Sequence, residues 1–237
     1  MHLQILLSLL PLTLAIPNAS PAPQIIDLST ASIPTVREAA AQARNLLQHE
    51  TIATLSTVFP SGEPHGLEHQ PIGLMDYYAD CSSDGSPSLL AMNIATSFRN
   101  LNADKNSSIS LSVRQHTPRS RFSPVAHPRL SLIGRVKEVG AESDEAERVK
   151  KCFLRRHPDA TLWTPGNKIH ESYWVRFEVE NIYWIGGFGS VAYIGWIPKE
   201  LYQAARTPCG KMEVIEQSEE KQSAGWGGEL KKFFFQG

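Results

Sequence analysis

The chain has 237 residues, 41% of them hydrophobic and 20% charged, with a formal net charge of −1. That length supports one good core or two small ones, and the balance is globular rather than disordered. With no net basic charge and no basic run longer than a pair, direct nucleic-acid binding is excluded as an expectation.

Leu3 to Ile16 is almost wholly apolar, broken by Gln4, Ser8, Pro11 and Thr13. It is short for a bilayer span, and small residues follow at Ala15, Ala19 and Ser20. Residues 1–20 therefore read as a secretory signal, leaving no stable membrane anchor and a secreted or secretory/vacuolar-lumen destination. Pro17, Pro21 and Pro23 make residues 21–33 a flexible lead.

A helix is expected from about Thr35 to His49, with Val36, Ala39, Ala40, Ala43, Leu46 and Leu47 in one stripe. Thr51 to Val58 is a β-branched strand, Pro60 to Pro64 a turn, and His65 to Ile72 the returning strand. A loop over Asp80 to Pro87 leads to a short buried strand, Ser88 to Met92. Ser97 to Ala103 reads as a helix capped by Ser97 or Thr96. Ile109 to Val113 and Leu130 to Val139 alternate as strands around a Pro-containing stretch. Ser143 caps a helix over Asp144 to Arg156 that stops at His157-Pro158.

Tyr173 to Val179 is a further strand, followed by strand-like Ile182–Ile185 and Val191–Ile194 flanking Gly186-Gly187-Phe188-Gly189. Three glycines in four residues mark a corner where the backbone approaches a ligand, a partner subunit or its own neighbouring strand. Pro198 opens a last helix, Lys199 to Ala205. Residues 206–237, ending in Phe233-Phe234-Phe235, read as a flexible tail. Many strands, few helices and hairpin-length connections give a mainly β fold, an antiparallel barrel with flanking helices.

Chemistry-bearing patterns are sparse. His65 and His69 share a strand face in this reading, about 13 Å apart, too far to ligate one metal. No Gly-x-Ser-x-Gly elbow and no dinucleotide fingerprint occur. Thr96-Ser97 with Arg99 in the first turn would serve as an anion site, or as ordinary capping beside a solvated cation. Asn106-Ser107-Ser108 is a glycosylation sequon, as is Asn18-Ala19-Ser20 within the signal. Of Cys81, Cys152 and Cys209, an odd count leaves at least one unpaired or intermolecular. Cys81 and Cys209 sit in loop-type sequence where a bridge would close a long loop, while Cys152 reads as a buried apolar residue on its helix.

The segment from Thr96 to Asp104 followed by Ser110-Leu111 resembles the short helix and strand of flavin-binding split-barrel proteins, the pyridoxamine 5'-phosphate oxidase-like superfamily. Arg129 to Val136 looks like their central strand. Arg155 to Ala160 and Gly186 to Gly189 are similar to motifs of the haem-utilisation branch. Signal, Pro-containing midsection and spacing are most like the secreted CREG-like branch, the cellular-repressor family of glycoproteins.

The resemblance covers residues 34–205 and implies a six-stranded antiparallel split β-barrel that forms a homodimer. In flavin-binding relatives FMN lies at the dimer interface, and by position Ser97 and Arg99 match the segment that contacts its phosphate. The strand expected over His65 to Ile72 offers Glu68, His69 and Gln70 where such relatives place a cation. The resemblance therefore implies a non-catalytic glycoprotein without cofactor, acting on an unidentified protein partner, with an FMN- or haem-dependent oxidoreductase as the alternative.

Overall fold

The computed structural model describes residues 32–104, 107–117, 123–167, 170–187 and 191–205. The expected signal, most of the lead, Asn106, Phe188, Gly189, Cys209 and the tail lie outside the described residues.

Helix α1 (Val36–His49) starts with a reciprocal cap: the Glu38 N–H donates to Thr35 Oγ1 and the Thr35 N–H to Glu38 Oε2. Two otherwise orphaned donors are thereby satisfied. Its apolar stripe buries Ala39, Ala40, Ala43, Leu46 and Leu47, as the 3.6-residue period requires. The strands are β1 (Ile52–Val58), β2 (Pro71–Ala79), β3 (Ser88–Met92), β4 (Ile109–Arg114), β5 (Arg129–Glu138), β6 (Ser172–Ile185) and β7 (Ile194–Ile197). Three further helices are α2 (Thr96–Ala103), α3 (Asp144–Arg156) and α4 (Lys199–Ala204).

All strand pairs are antiparallel, in the order β3-β2-β1-β4-β5-β6-β7, and β3 also pairs with β6. That second pairing closes a six-stranded barrel and leaves β7 as an extra strand. One edge of β6 runs along β5. The other is shared, with Ser172–Arg176 on β3 and Ile182–Ile185 on β7.

Inward residues of the strands, among them Leu55, Leu89, Leu111, Leu132, Phe177 and Trp184, form one core with α1, α2 and α4. Each large side chain so buried contributes about 1.5–3 kcal/mol relative to exposure. A second cluster lies on the outer side, where Phe153, Val149 and Ala146 of α3 cover Ala79, Leu90 and Trp174.

Four expectations need correction. The returning strand is Pro71–Ala79, not His65 to Ile72. The Glu63 carboxylate accepts the N–H groups of His65 and Leu67, and His69 takes a φ of 62°. Local turn bonding thus holds His65 and His69 out of the sheet. Tyr173–Val179 and Ile182–Ile185 are one strand, with a bulge where Gly134 faces Val179 and Ile133 faces Asn181. A Cβ on Gly134 would sit 2.0 Å from the Glu178 carbonyl oxygen, so the bulge is built over a glycine. Val191 to Tyr193 is not strand; β7 begins at Ile194. Finally, α2 begins after Ala95 with no side-chain cap, so neither Ser97 nor Thr96 caps it.

Cys152 is also not a plain apolar residue. It forms a disulfide with Cys81 across 71 residues, Cα–Cα 5.8 Å. The bond ties α3 to the loop after β2. In that loop Asp80 and the Ser83 carbonyl hold the buried Arg44 of α1.

Candidate functional site

The alternation of β1, β4, β5 and β6 sends one set of side chains to the core and leaves the other set outside. Cross-strand register then builds a continuous outer row: Met75, Thr54, Ser112, Ser131, Tyr183, Trp196. Small hydroxyl residues hold its middle, and large apolar ones its ends. Met75 is 70% exposed and Trp196 58%. Tyr183 meets Trp196 edge-on at 5.0 Å, and the Ser112 and Ser131 hydroxyls are 3.3 Å apart. Because the middle is small and the ends large, the face is hollow. It holds a groove of about 510 Å³, bounded also by Ile52, Arg114, Arg129 and Ile185. Arg114 and Arg129 are direct partners in the β4–β5 ladder. No carboxylate lines the groove.

The structure does not bring the residues singled out in the sequence to this groove. Ser97 is 3% exposed, its hydroxyl packed beneath α2, while Arg99 is exposed. The neighbouring Asn100 donates its amide to Thr57 Oγ1 at 3.1 Å. That contact lies three residues along β1 from Thr54, about 10 Å from the groove. Gly186 and Gly187 lie just past the end of β6. The Gly186 N–H donates to the Tyr193 carbonyl at 2.9 Å, and a Cβ there would meet Trp184 Nε1 at 2.8 Å. The close approach at this corner is therefore to the chain's own strand end.

These residues do not fit an FMN phosphate. A dianion needs several converging cations or donors. The described residues of α2 supply one cation, Arg99, and β2 supplies none. β2 instead carries Asp76, whose carboxyl burial pushes up to about 6 against a single backbone hydrogen bond from Tyr77. For haem, His157 Nε2 is engaged by the Tyr78 carbonyl, His49 by Asn45 and His65 by Glu63. Among the described residues no cluster of three potential metal ligands occurs, and no helix is long and apolar enough to cross a membrane.

Sequence reasoning missed Arg114, Arg129, Met75 and Trp196. The period-2 pattern did place Ser110, Ser112 and Arg114, and Arg129 with Ser131, off the core face. Only the register sets Arg114 against Arg129.

A family model described as CREG, beta-barrel matches residues 34–204. Among solved structures, a haem-binding protein from Mycobacterium smegmatis is 22% identical with a TM-score of 0.56, covering 73% of this chain and 62% of that one. Protein Atu2129 of unknown function from Agrobacterium tumefaciens is 23% identical with a TM-score of 0.50, covering 72% and 62%. ChuZ from Campylobacter jejuni is 12% identical with a TM-score of 0.53, covering 68% and 61%. The chain spans about three fifths of the length of these structures, and the likeness is one of fold. Comparison with curated protein sequences gives no match.

Proposed function

Because the chain belongs to the CREG β-barrel family, we propose that it is a secreted, non-catalytic split-barrel glycoprotein that acts by docking other proteins, the first being a second copy of itself. The observation that carries this reading is the outer row from Met75 to Trp196. A hollow, hydroxyl-floored sheet face with large exposed apolar residues at both ends is a protein-docking surface by composition. Ile52 and Ile194, 45% and 51% exposed, widen the apolar area on the same face.

Export is supported by the apolar segment Leu3 to Ile16 and by the Cys81–Cys152 disulfide, a bond that persists in oxidising compartments. Glycosylation at Asn106 is supported by its sequon and by exposed Asp104 and Ser108 on either side. The alternative, an FMN- or haem-dependent oxidoreductase, would require a phosphate or propionate clamp that α2 and β2 do not supply.

Light scattering with calorimetry against FMN tests the reading. A dimeric mass with no FMN heat at micromolar concentration is the expected result. A monomer removes self-docking, and stoichiometric FMN binding removes the non-catalytic assignment. A glycosidase-sensitive gel shift of the protein from native medium, absent in Asn106→Gln, checks export and glycan together.

A further inference from the structure

Arg114 and Arg129 stand directly opposite each other in the β4–β5 ladder, and both line the outer groove. Like charges in that relation destabilise a sheet, and a guanidinium cannot relieve the repulsion by losing its proton. No carboxylate reaches the groove to offset them. Among the described residues neither arginine takes part in an ion pair. Arg129 Nη1 donates to the Val125 carbonyl at 2.7 Å, which fixes the orientation of its fork while using one of five N–H donors. The serine hydroxyls of the floor add two short donors beside the pair. Tyr183 and Ile185 wall the groove next to the cations, and Met75 closes the far side. A volume of about 510 Å³ lies in the range of small-molecule sites.

We propose that this groove binds a small amphiphilic anion: a carboxylate or phosphate monoester held between Arg114 and Arg129, with an apolar body laid along Tyr183 and Ile185 toward Met75. The charge arrangement favours this occupant over a purely apolar one, since two unoffset guanidinium groups gain most from an anion placed between them. The site is separate from the Ser97–Arg99 segment. It goes beyond the docking reading and does not depend on it: on a free barrel the groove is open, and a second copy on the same face would seal the anion between the two.

The test uses the full chain and calorimetry with decanoate, decyl phosphate and decanol, together with Arg114→Gln, Arg129→Gln and, as a control on α3, the exposed Arg148→Gln. Decanoate and decyl phosphate should bind one per chain, with affinity falling as salt rises. Decanol should bind at least about tenfold more weakly. Each groove variant should weaken the anions about tenfold or more, in line with the strength of charge-assisted hydrogen bonds, and Arg148→Gln should leave them unchanged.

Urea midpoints provide a second measurement. At low salt each groove variant should match or exceed wild type, because the repulsion is removed, and this also shows that it folds. Equal binding of decanol, or wild-type affinity in both groove variants, overturns the proposal. Co-sedimentation with phosphatidylserine vesicles should be absent. Its presence would assign the arginines to a lipid surface and overturn the small-ligand site. Light scattering on the same samples reports oligomeric state separately, so a monomer that still binds decanoate sinks only the self-docking reading.

Discussion

Asp76 carries a charge the barrel accommodates poorly. Its position on β2 opposite Ala53 directs it to the inner side of the sheet, and burial raises its carboxyl to about 6. The folded state therefore holds the proton more tightly than the unfolded chain, where the ordinary value is 3.8. The stabilising contribution is complete below about pH 4 and is lost as pH rises through about 6. Asp76→Asn should flatten this part of the pH dependence and exceed wild type at pH 7.5 by up to about 3 kcal/mol. Urea titrations of both proteins at pH 4.5 and 7.5 read it, and because Asp80 is common to the two, its own upward shift cancels. Equal pH profiles would show that Asp76 is solvated. Gly187 is the other residue whose identity is set by its surroundings. It is buried with a φ of 154°, a conformation that L side chains rarely adopt. Gly187→Val should cost about 1–3 kcal/mol in a urea titration whatever the function of the corner.

At the scale of elements, α1, α3 and the loop after β2 form one unit. Arg44 reaches from α1 to the Ser83 carbonyl and to Asp80, and stacks over the buried Tyr202 ring of α4, 5.4 Å from its centroid. The adjacent Cys81 is joined to Cys152 of α3. Crosslinking residues 71 apart removes conformational freedom mainly from the unfolded chain, an effect of about 2–4 kcal/mol in comparable proteins. A Cys81→Ser/Cys152→Ser double variant should lose about that much in urea denaturation while its far-ultraviolet circular dichroism stays native. An unchanged midpoint would mean that the Arg44 network alone holds the loop.

On the scale of the whole molecule, the closed barrel has used its inner strand faces for its own core, and α3 covers the outer side of β3 and the end of β2. The row from Met75 to Trp196 is left without cover from any described element. Trp196 contributes little to the monomer core but stands at the end of the proposed docking face, and tryptophan is the residue that most often dominates such contacts. A stable self-interface of this kind would bury about 2,000 Å² in total. Trp196→Glu should halve the mass seen by light scattering and shift the monomer's unfolding free energy by less than about 1 kcal/mol. An unaltered mass would move the interface elsewhere on the barrel.

The chain's local pattern was enough for the barrel. Period-2 alternation in Ile109 to Val113 and Leu130 to Val139, the stripe of α1, and the Ser143 cap of α3 are all set by nearest neighbours, so elements and fold class were legible. His65 to Ile72 was misread because Glu63, six residues or fewer away, offers the backbone turn bonds that compete with pairing. The long β6 was misread because a bulge is a property of two strands, not one. The site was less legible still. Cys152 finding Cys81, Arg114 facing Arg129, and Met75, Thr54, Ser112, Ser131, Tyr183 and Trp196 lining up across five successive strand pairings all depend on register. Register is a sum over long-range contacts, and a one-residue slip would send each of those side chains to the opposite face. The sequence by itself determined which residues could be outside; only closure of the barrel decided which of them meet.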